Sequence, residues 1–165
     1  FSSLTYEKIN SFFDNSFDMA NIAFFGENLI LDKICEKDIC AGDVLKIGQA
    51  KVQITQPRQP CWKLSANSLK NSMTKFIFET GLTGFYAKVL KEGQISQNDD
   101  VILEQRTRPN LTIEKLNQII VEPKIDINLT KEALACEDLG HQFKNSLTKR
   151  YELGDEDNQF SFYHT

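Results

Sequence analysis

Histidine is scarce in this sequence, and its cysteines are not spaced as metal sites usually require. The 165-residue chain has two histidines and four cysteines. The cysteines are Cys35, Cys40, Cys61 and Cys136, and no two of them form a Cys-x-x-Cys pair. A zinc site built from such pairs is therefore not predicted. We expect separate, reduced thiols, although a disulfide between Cys35 and Cys40 stays open at this point.

Long hydrophobic runs and an excess of positive charge are also lacking. No apolar run approaches the roughly 20 residues that span a bilayer, and the first residues do not form a basic and apolar leader. The formal net charge of −4 argues against nucleic acid or an anionic membrane as the main partner. Any anion site must then depend on local positive charge. We expect a cytoplasmic protein with no nucleic-acid or membrane partner.

Residues 51–61 are the stretch in which chemistry is most expected. Val52 and Ile54 alternate with polar residues, which is the period-two pattern of a half-buried strand. Two prolines then end the pairing and stiffen the segment that carries Arg58 and Cys61. A guanidinium binds phosphate or carboxylate, and a thiol near positive charge becomes a nucleophile or a soft-metal ligand more readily. A structural loop with a buried, inert cysteine is the alternative.

Glu27 is a second candidate, because it directly follows a glycine that would let a ligand or a backbone approach closely. Its carboxylate could orient a substrate amine or exchange a proton. Capping of a neighbouring amide, or plain solvation, is the commoner role of a surface glutamate.

The strands and turns through residue 106 predict a mostly β, α+β fold, with a barrel-like sheet and helical insertions. A hairpin is expected over residues 44–54, and further strands are expected at 84–90 and 101–103. A short amphipathic helix is expected over residues 1–13. A second helix is expected between a cap at Ser72 and a stop at Gly81.

The periodicity changes from 2 to 3.6 beyond residues 108–110, which predicts a domain boundary and three short helices. The first helix is expected to be capped by Thr112 and the second by Asn128. Apolar residues recurring every four positions mark the third. Helices of this size bury little alone, so we expect them to dock on the barrel or on a partner. The predicted division is a barrel domain at 1–106, a three-helix domain at 107–153 and a solvated tail at 154–165.

Four groups of residues, spaced along the chain in a fixed order, carry a family resemblance. They are Phe25-Gly26-Glu27-Asn28-Leu29, the Gly42-Asp43 turn, Thr55-Gln56-Pro57-Arg58-Gln59-Pro60-Cys61-Lys63-Leu64 read across Trp62, and Thr83-Gly84-Phe85-Tyr86 with Val89-Leu90 and Gly93. Together they resemble a MOSC domain of the YiiM-like branch. Residues 108–151 are similar to the three-helix unit that follows the barrel in that branch.

The resemblance implies a β-barrel that binds the molybdenum cofactor, with Cys61 as the thiolate ligand to molybdenum. Pyridoxal phosphate is not expected. Arg58 would meet the pterin phosphate or hold the Cys61 loop, and Glu27 is the expected proton donor near the pocket. The candidate cofactor-binding residues, each of which could also be a scaffold contact, are Arg58, Asn28, Lys63 and Tyr86.

Similar proteins of this branch reduce N-hydroxylated compounds, including 6-N-hydroxylaminopurine, with electrons from an external reductase or a ferredoxin. The resemblance implies the same small-molecule reduction here, with Cys61 and Glu27 as the catalytic residues. The alternative is a carrier module in which Cys61 holds a persulfide or the cofactor for delivery to another enzyme, and a purely structural interaction domain is a third class. A homodimer is compatible with the acidic surface and the appended helices.

Members of the family usually carry an amino-terminal segment before the position of Phe1, with opening strands and a His-Gly-Gly stretch near the cofactor. We therefore expect this sequence to be a fragment. Its barrel would then have an unpaired edge that another chain could cover.

Overall fold

The computed structural model describes residues 1–18 and 23–153, and these form six helices and four strands. In chain order the elements are α1 Ser3–Phe12, β1 Val44–Ile47, β2 Ala50–Pro57, α2 Trp62–Ser68, α3 Met73–Thr80, β3 Phe85–Lys91, β4 Val101–Gln105, α4 Ile113–Val121, α5 Ile127–Ala135 and α6 His141–Leu153. The tail predicted at 154–165 lies outside the described residues.

The four strands form one antiparallel sheet in the order β3-β2-β1-β4. The predicted hairpin is confirmed, since β1 pairs with β2 from Val44 opposite Gln53 to Ile47 opposite Ala50. Gly48 turns the chain with a φ of +54°, and a Cβ there would lie 2.8 Å from the backbone carbonyl oxygen of Gln94. Glycine is therefore favoured at this turn both by its backbone conformation and by the close approach of the Gln94 backbone.

The expected α+β class is confirmed, but within the described residues the sheet is open and does not close into a barrel. β3 and β4 are its two edges, and both are exposed along nearly their whole length. A closed barrel requires its two edge strands to pair with each other. β3 and β4 do not pair among the described residues, so the sheet stays open.

The main core lies between one face of the sheet and the carboxyl-terminal helices. It joins Leu45 and Ile54 of the sheet to Leu116 and Ile119 of α4 and to Phe143 of α6. The three helices thus dock on the sheet, as expected from the little apolar surface that each could bury alone. α4 packs against β2, and Gly140, which precedes α6, donates to the carbonyl oxygen of Thr55 near the end of β2.

A second, largely aromatic core surrounds α1. The hydroxyl of Ser2 accepts a hydrogen bond from the backbone nitrogen of Thr5, which begins the helix. Tyr6 and Ile9 on the inner face of α1 pack with Phe25 and with Met73 of α3. This cluster holds the turn at Phe25 against α3, which matters for the site described below.

Two predicted helix caps differ in the structure. Thr112 caps α4 as expected, accepting from Lys115, but α5 begins after Asp126 and not at Asn128. Asp126 has the extended backbone of a cap residue, and its Oδ1 atom accepts from the backbone nitrogen of Leu129 at 2.9 Å. Ser72 precedes α3, but its backbone is already helical and its side chain makes no cap hydrogen bond.

Candidate functional site

Cys61 lies where the chain leaves β2 and enters α2. It is exposed, whereas Cys35, Cys40 and Cys136 are buried, and all four thiols are free. Its backbone is extended, with a φ of −145°, and its side chain makes no cap hydrogen bond to α2. The Cys61 thiol is therefore available at the surface, and the alternative of a buried, inert cysteine does not hold.

The backbone at Cys61 is held by a small hydroxyl network between α2 and α3. The hydroxyl of Thr74 donates to the carbonyl oxygen of Cys61 at 3.0 Å. The hydroxyl oxygens of Ser65 and Thr74 lie 2.8 Å apart, and Ser65 also accepts from the backbone nitrogen of Thr74. Since Thr74 is buried and bonded on both sides, it fixes the start of α2 relative to α3.

Arg58 connects three parts of the site. Its guanidinium donates to the carbonyl oxygen of Phe25 and lies 5.8 Å from the centre of the Tyr86 ring. Its backbone nitrogen donates to the carbonyl oxygen of Gly84 at 3.1 Å. Arg58 therefore joins the end of β2 to the turn at Phe25 and to the start of β3.

A cavity of about 200 Å³ opens beside Cys61, and we call it the thiol cavity. Its polar side chains are Arg58, Gln59, Cys61, Lys63, Asn67, Thr83 and Tyr86, and its apolar walls include Phe1, Phe25 and Leu64. Two of these side chains are cations, and none of the described residues that line the cavity is a carboxylate. The thiol cavity thus combines an exposed thiol with net positive charge.

A second cavity of about 340 Å³, the adjoining cavity, shares Phe1, Gly26, Arg58 and Tyr86 with the first. It contains Glu27 and Asn28 and is floored by the apolar face of β1 and β2. The Oε2 atom of Glu27 accepts from the backbone nitrogen of Phe25 at 3.0 Å. Glu27 thus makes the local capping contact that the sequence allowed, at the edge of this cavity.

Residues 81–84, between α3 and β3, form a loop that lines the thiol cavity, and we call it the strand-entry loop. Two buried side chains hold this loop in place. The carboxylate of Glu36 accepts from the backbone nitrogen of Gly84 at 2.9 Å and from the hydroxyl of Thr5 at 2.6 Å. On the other side, the amide of Asn117 donates to the carbonyl oxygen of Gly81. The loop between α3 and β3 is therefore fixed by Glu36, which Thr5 of α1 holds, and by Asn117 of α4.

Within the described parts of the chain, no three His, Cys, Asp or Glu side chains are grouped so that they could hold a metal ion. Nor is any helix in those parts long and apolar enough to cross a membrane.

Comparison with known proteins decides the family. The MOSC domain family matches residues 1–102, which is more than half of the chain. This chain belongs to the MOSC domain family. The resemblance carried by the spaced motifs is thereby confirmed.

Curated relatives of this MOSC chain include three bacterial and fungal proteins. It is 33% identical to the uncharacterized protein YflK of Bacillus subtilis over 78% of the chain and 58% of that protein. It is 27% identical to YiiM of Escherichia coli over 76% of the chain and 56% of YiiM. A protein named Reductase from Gibberella moniliformis is 28% identical over 70% of the chain and 21% of its own length. The matched region thus spans less than two thirds of each relative.

Solved structures give the same fold. YiiM from Geobacillus stearothermophilus superposes with a TM-score of 0.82 at 31% identity, covering 91% of this chain and 75% of that one. YiiM from Escherichia coli superposes with a TM-score of 0.81 at 24% identity, covering 98% and 79%. The YiiM-like arrangement of this MOSC chain is therefore confirmed.

The structure divides the predicted site residues of this MOSC chain between the two cavities. Cys61 and Lys63 line the thiol cavity, Glu27 and Asn28 line the adjoining cavity, and Arg58 and Tyr86 line both. Glu27 and Cys61 share no cavity. The two cavities are neighbours, because Arg58 and Tyr86 line both of them.

Sequence reasoning missed the supports of this MOSC site. Helix α2 was not expected, because its seven residues give too short a window for a helical period. Glu36 and Asn117 were missed because their partners are 48 and 36 residues away along the chain. The sequence gives Gln59 no role of its own, yet its amide nitrogen is buried without a hydrogen-bond partner among the described residues.

Proposed function

We propose that this MOSC protein binds the molybdenum cofactor with Cys61 as a metal ligand, and that it reduces N-hydroxylated compounds such as 6-N-hydroxylaminopurine. The observation that carries the proposal is the thiol cavity, where the exposed Cys61 lies with Arg58 and Lys63 and no described lining residue is a carboxylate. Such a set of side chains suits a ligand that combines a soft metal centre with anionic groups.

The donor chemistry of the cavity fits the cofactor. A thiolate is a soft ligand that suits a metal already held by dithiolene sulfurs. A guanidinium fork and an ammonium group are the usual partners of a phosphate. The two cavities, of about 200 and 340 Å³ on either side of Arg58 and Tyr86, together fall within the roughly 300–1,000 Å³ of small-molecule sites.

When bound, the cofactor supplies two-electron removal of an oxygen atom from the substrate. The overall change is R–NHOH + 2 e⁻ + 2 H⁺ → R–NH₂ + H₂O, in which the N–O bond breaks and water leaves. An external reductase or ferredoxin supplies the electrons. One fungal relative is named Reductase, and that name agrees with a redox role.

The side chains of the chain have separate tasks in this reaction. Arg58 and Lys63 bind anionic groups of the cofactor, and the Tyr86 ring under the guanidinium keeps Arg58 in place. Glu27 gives a proton to the substrate from the edge of the adjoining cavity, where its contact with Phe25 orients the carboxyl group. Thr74 keeps the Cys61 backbone in position for its thiol to bind the metal.

The proposal is tested by measuring molybdenum in the protein with its natural amino terminus, made in cells that synthesise the cofactor. We expect nearly one metal atom per chain in the wild type and its loss in Cys61→Ser. Ser72→Ala is the matched control, because Ser72 is exposed, lies close in sequence and makes no cap contact. Reduction of 6-N-hydroxylaminopurine by reduced methyl viologen should follow the metal content.

Folded wild-type protein that contains no molybdenum after synthesis in such cells would contradict the proposal. If that protein instead released sulfane sulfur from Cys61 to an acceptor, the carrier function would replace the reductase.

A further inference from the structure

The stretch of sequence around Cys61 lacks acidic residues and so has a net positive charge. Residues 52–78 contain four cations, Arg58, Lys63, Lys70 and Lys75, and no Asp or Glu, although the whole chain carries a net charge of −4. We call this stretch the basic segment. Arg58 and Lys63 line the thiol cavity, but Lys70 and Lys75 do not. Lys70 and Lys75 therefore have no role in the thiol cavity, and their positive charge is available for another contact.

The basic segment also exposes two large apolar side chains, one of them next to the thiol. Trp62, next to Cys61, is 67% exposed, and Leu69 is 88% exposed. Tryptophan is among the residues that dominate binding energy in protein interfaces, and charged groups around such an anchor steer the partner. The basic segment thus has an apolar anchor beside the thiol and cations around it.

The lysines of the basic segment are accessible for an external partner. Lys63 is exposed, Lys70 and Lys75 are half-exposed, and none of the three belongs to an ion pair within the described residues. The Ser65–Thr74 contact and the Thr74–Cys61 contact tie α2 to α3. A partner that binds this face would therefore meet a fixed surface next to Cys61.

We propose that the basic segment docks an electron-donating protein whose surface around its redox centre is acidic. The inference rests on the proposed function, because reduction of an N-hydroxyl group needs two electrons from outside the chain. An acidic donor is repelled by the net negative charge of the molecule as a whole and attracted to the segment at Cys61. Two reduced one-electron donors are oxidised in each turnover, which balances the reduction of one substrate.

The test measures binding directly, by surface plasmon resonance, with an acidic [2Fe–2S] ferredoxin and an acidic flavodoxin as probes. The variant is Lys70→Glu/Lys75→Glu, and the matched control is Lys131→Glu/Lys149→Glu, which makes the same charge change at exposed lysines of α5 and α6. We expect binding weakened about tenfold in the variant and little changed in the control, since close charge pairs set the affinity. The difference should shrink in high salt.

The neutral variant Lys70→Gln/Lys75→Gln covers the case in which charge reversal disturbs folding, and we expect a smaller loss of binding in the same direction. Equal binding by the wild type and both basic-segment variants would overturn the proposal. So would an equal loss in the α5 and α6 control, or no binding of either probe to the wild type.

Turnover with reduced methyl viologen separates this inference from the proposed function. This small donor needs no docking surface, so the lysine variants should keep wild-type rates with it and lose rate with ferredoxin. If viologen supports no turnover in the wild type, the reductase proposal fails, and the binding data still decide whether the basic segment is a docking surface.

Discussion

Asn117 of α4 and Thr83 of the thiol cavity are joined by a 3.0 Å hydrogen bond from the Asn117 amide to the Thr83 hydroxyl. The same amide nitrogen donates to the carbonyl oxygen of Gly81 at 2.8 Å. Both side chains are buried. The carboxyl-terminal helices therefore support a wall of the cavity that contains Cys61.

Replacing Asn117 by alanine should destabilise the fold and loosen this wall. The change leaves the partly buried Gly81 carbonyl and the buried Thr83 hydroxyl without this donor, which costs about 1–3 kcal/mol. Urea unfolding measures the free energy of unfolding, and molybdenum retention reports the state of the cavity. Gln118→Ala, at an exposed position of the same helix, is the control. An equal effect of both variants would mean that helix propensity, and not the cavity contact, is responsible.

Thr74 should affect the Cys61 site without acting on the substrate. Thr74→Val keeps the shape of the side chain but removes the hydrogen bond to the Cys61 carbonyl and the contact with Ser65. We expect weaker retention of molybdenum in this variant. Thr80→Val is its matched control, because Thr80 is in the same helix and its exposed hydroxyl bonds only to Phe76 among the described residues. Equal retention in both variants would argue against a positioning role.

The sequence predicted those parts of the fold that depend on local pattern. The β1–β2 hairpin follows from alternation across the turn at Gly48, and α4 follows from Thr112 and its apolar stripe. At the start of α5, Asp126 and Asn128 are both suitable cap residues, and the structure shows that Asp126 has the extended backbone of the cap. The sequence pattern alone does not distinguish the two positions.

The sequence also predicted Cys61 and Arg58 as site candidates, but not what holds them. The contact of Arg58 with the Phe25 carbonyl, and those of Glu36 and Asn117 with the strand-entry loop, join segments far apart in the chain. Such contacts depend on how helices and sheet pack. Whether the sheet closes likewise depends on which strands pair with β3 and β4, and periodicity does not give this.

Tyr6 makes the free energy of unfolding depend on pH in the alkaline range. Burial, followed by the nearby carboxylates of Glu27 and Asp18, raises the pKa of Tyr6 to about 12. An unfolded tyrosine ionises near pH 10, so above this pH the unfolded chain loses its proton before the folded chain does. The stabilisation is thus complete below about pH 10 and is lost progressively up to about pH 12.

Tyr6→Phe should remove this dependence. At pH 7 the variant should be as stable as the wild type or slightly more stable, because it deletes a buried hydroxyl that has no partner among the described residues. Between about pH 10 and 12 the wild type should lose about 2–3 kcal/mol relative to the variant. Urea unfolding at several pH values measures both. Parallel stability curves for the two proteins would show that Tyr6 titrates normally.

Thiol labelling tests the accessibility of Cys61 independently of any cofactor. In protein made in cells that lack the cofactor, we expect one thiol to react rapidly with a disulfide reagent and the other three to react only on unfolding. The three buried thiols should react slowly because the reagent cannot reach them. For Cys35 and Cys40 there is a second reason: burial, and then the carboxylates of Asp38 and Asp43, raise the pKa of these thiols. Cys61→Ser should abolish the rapid reaction and leave the slow one unchanged. If rapid labelling persists in Cys61→Ser, the reactive thiol is a different cysteine. The assignment of Cys61 as the metal ligand would then lose its support.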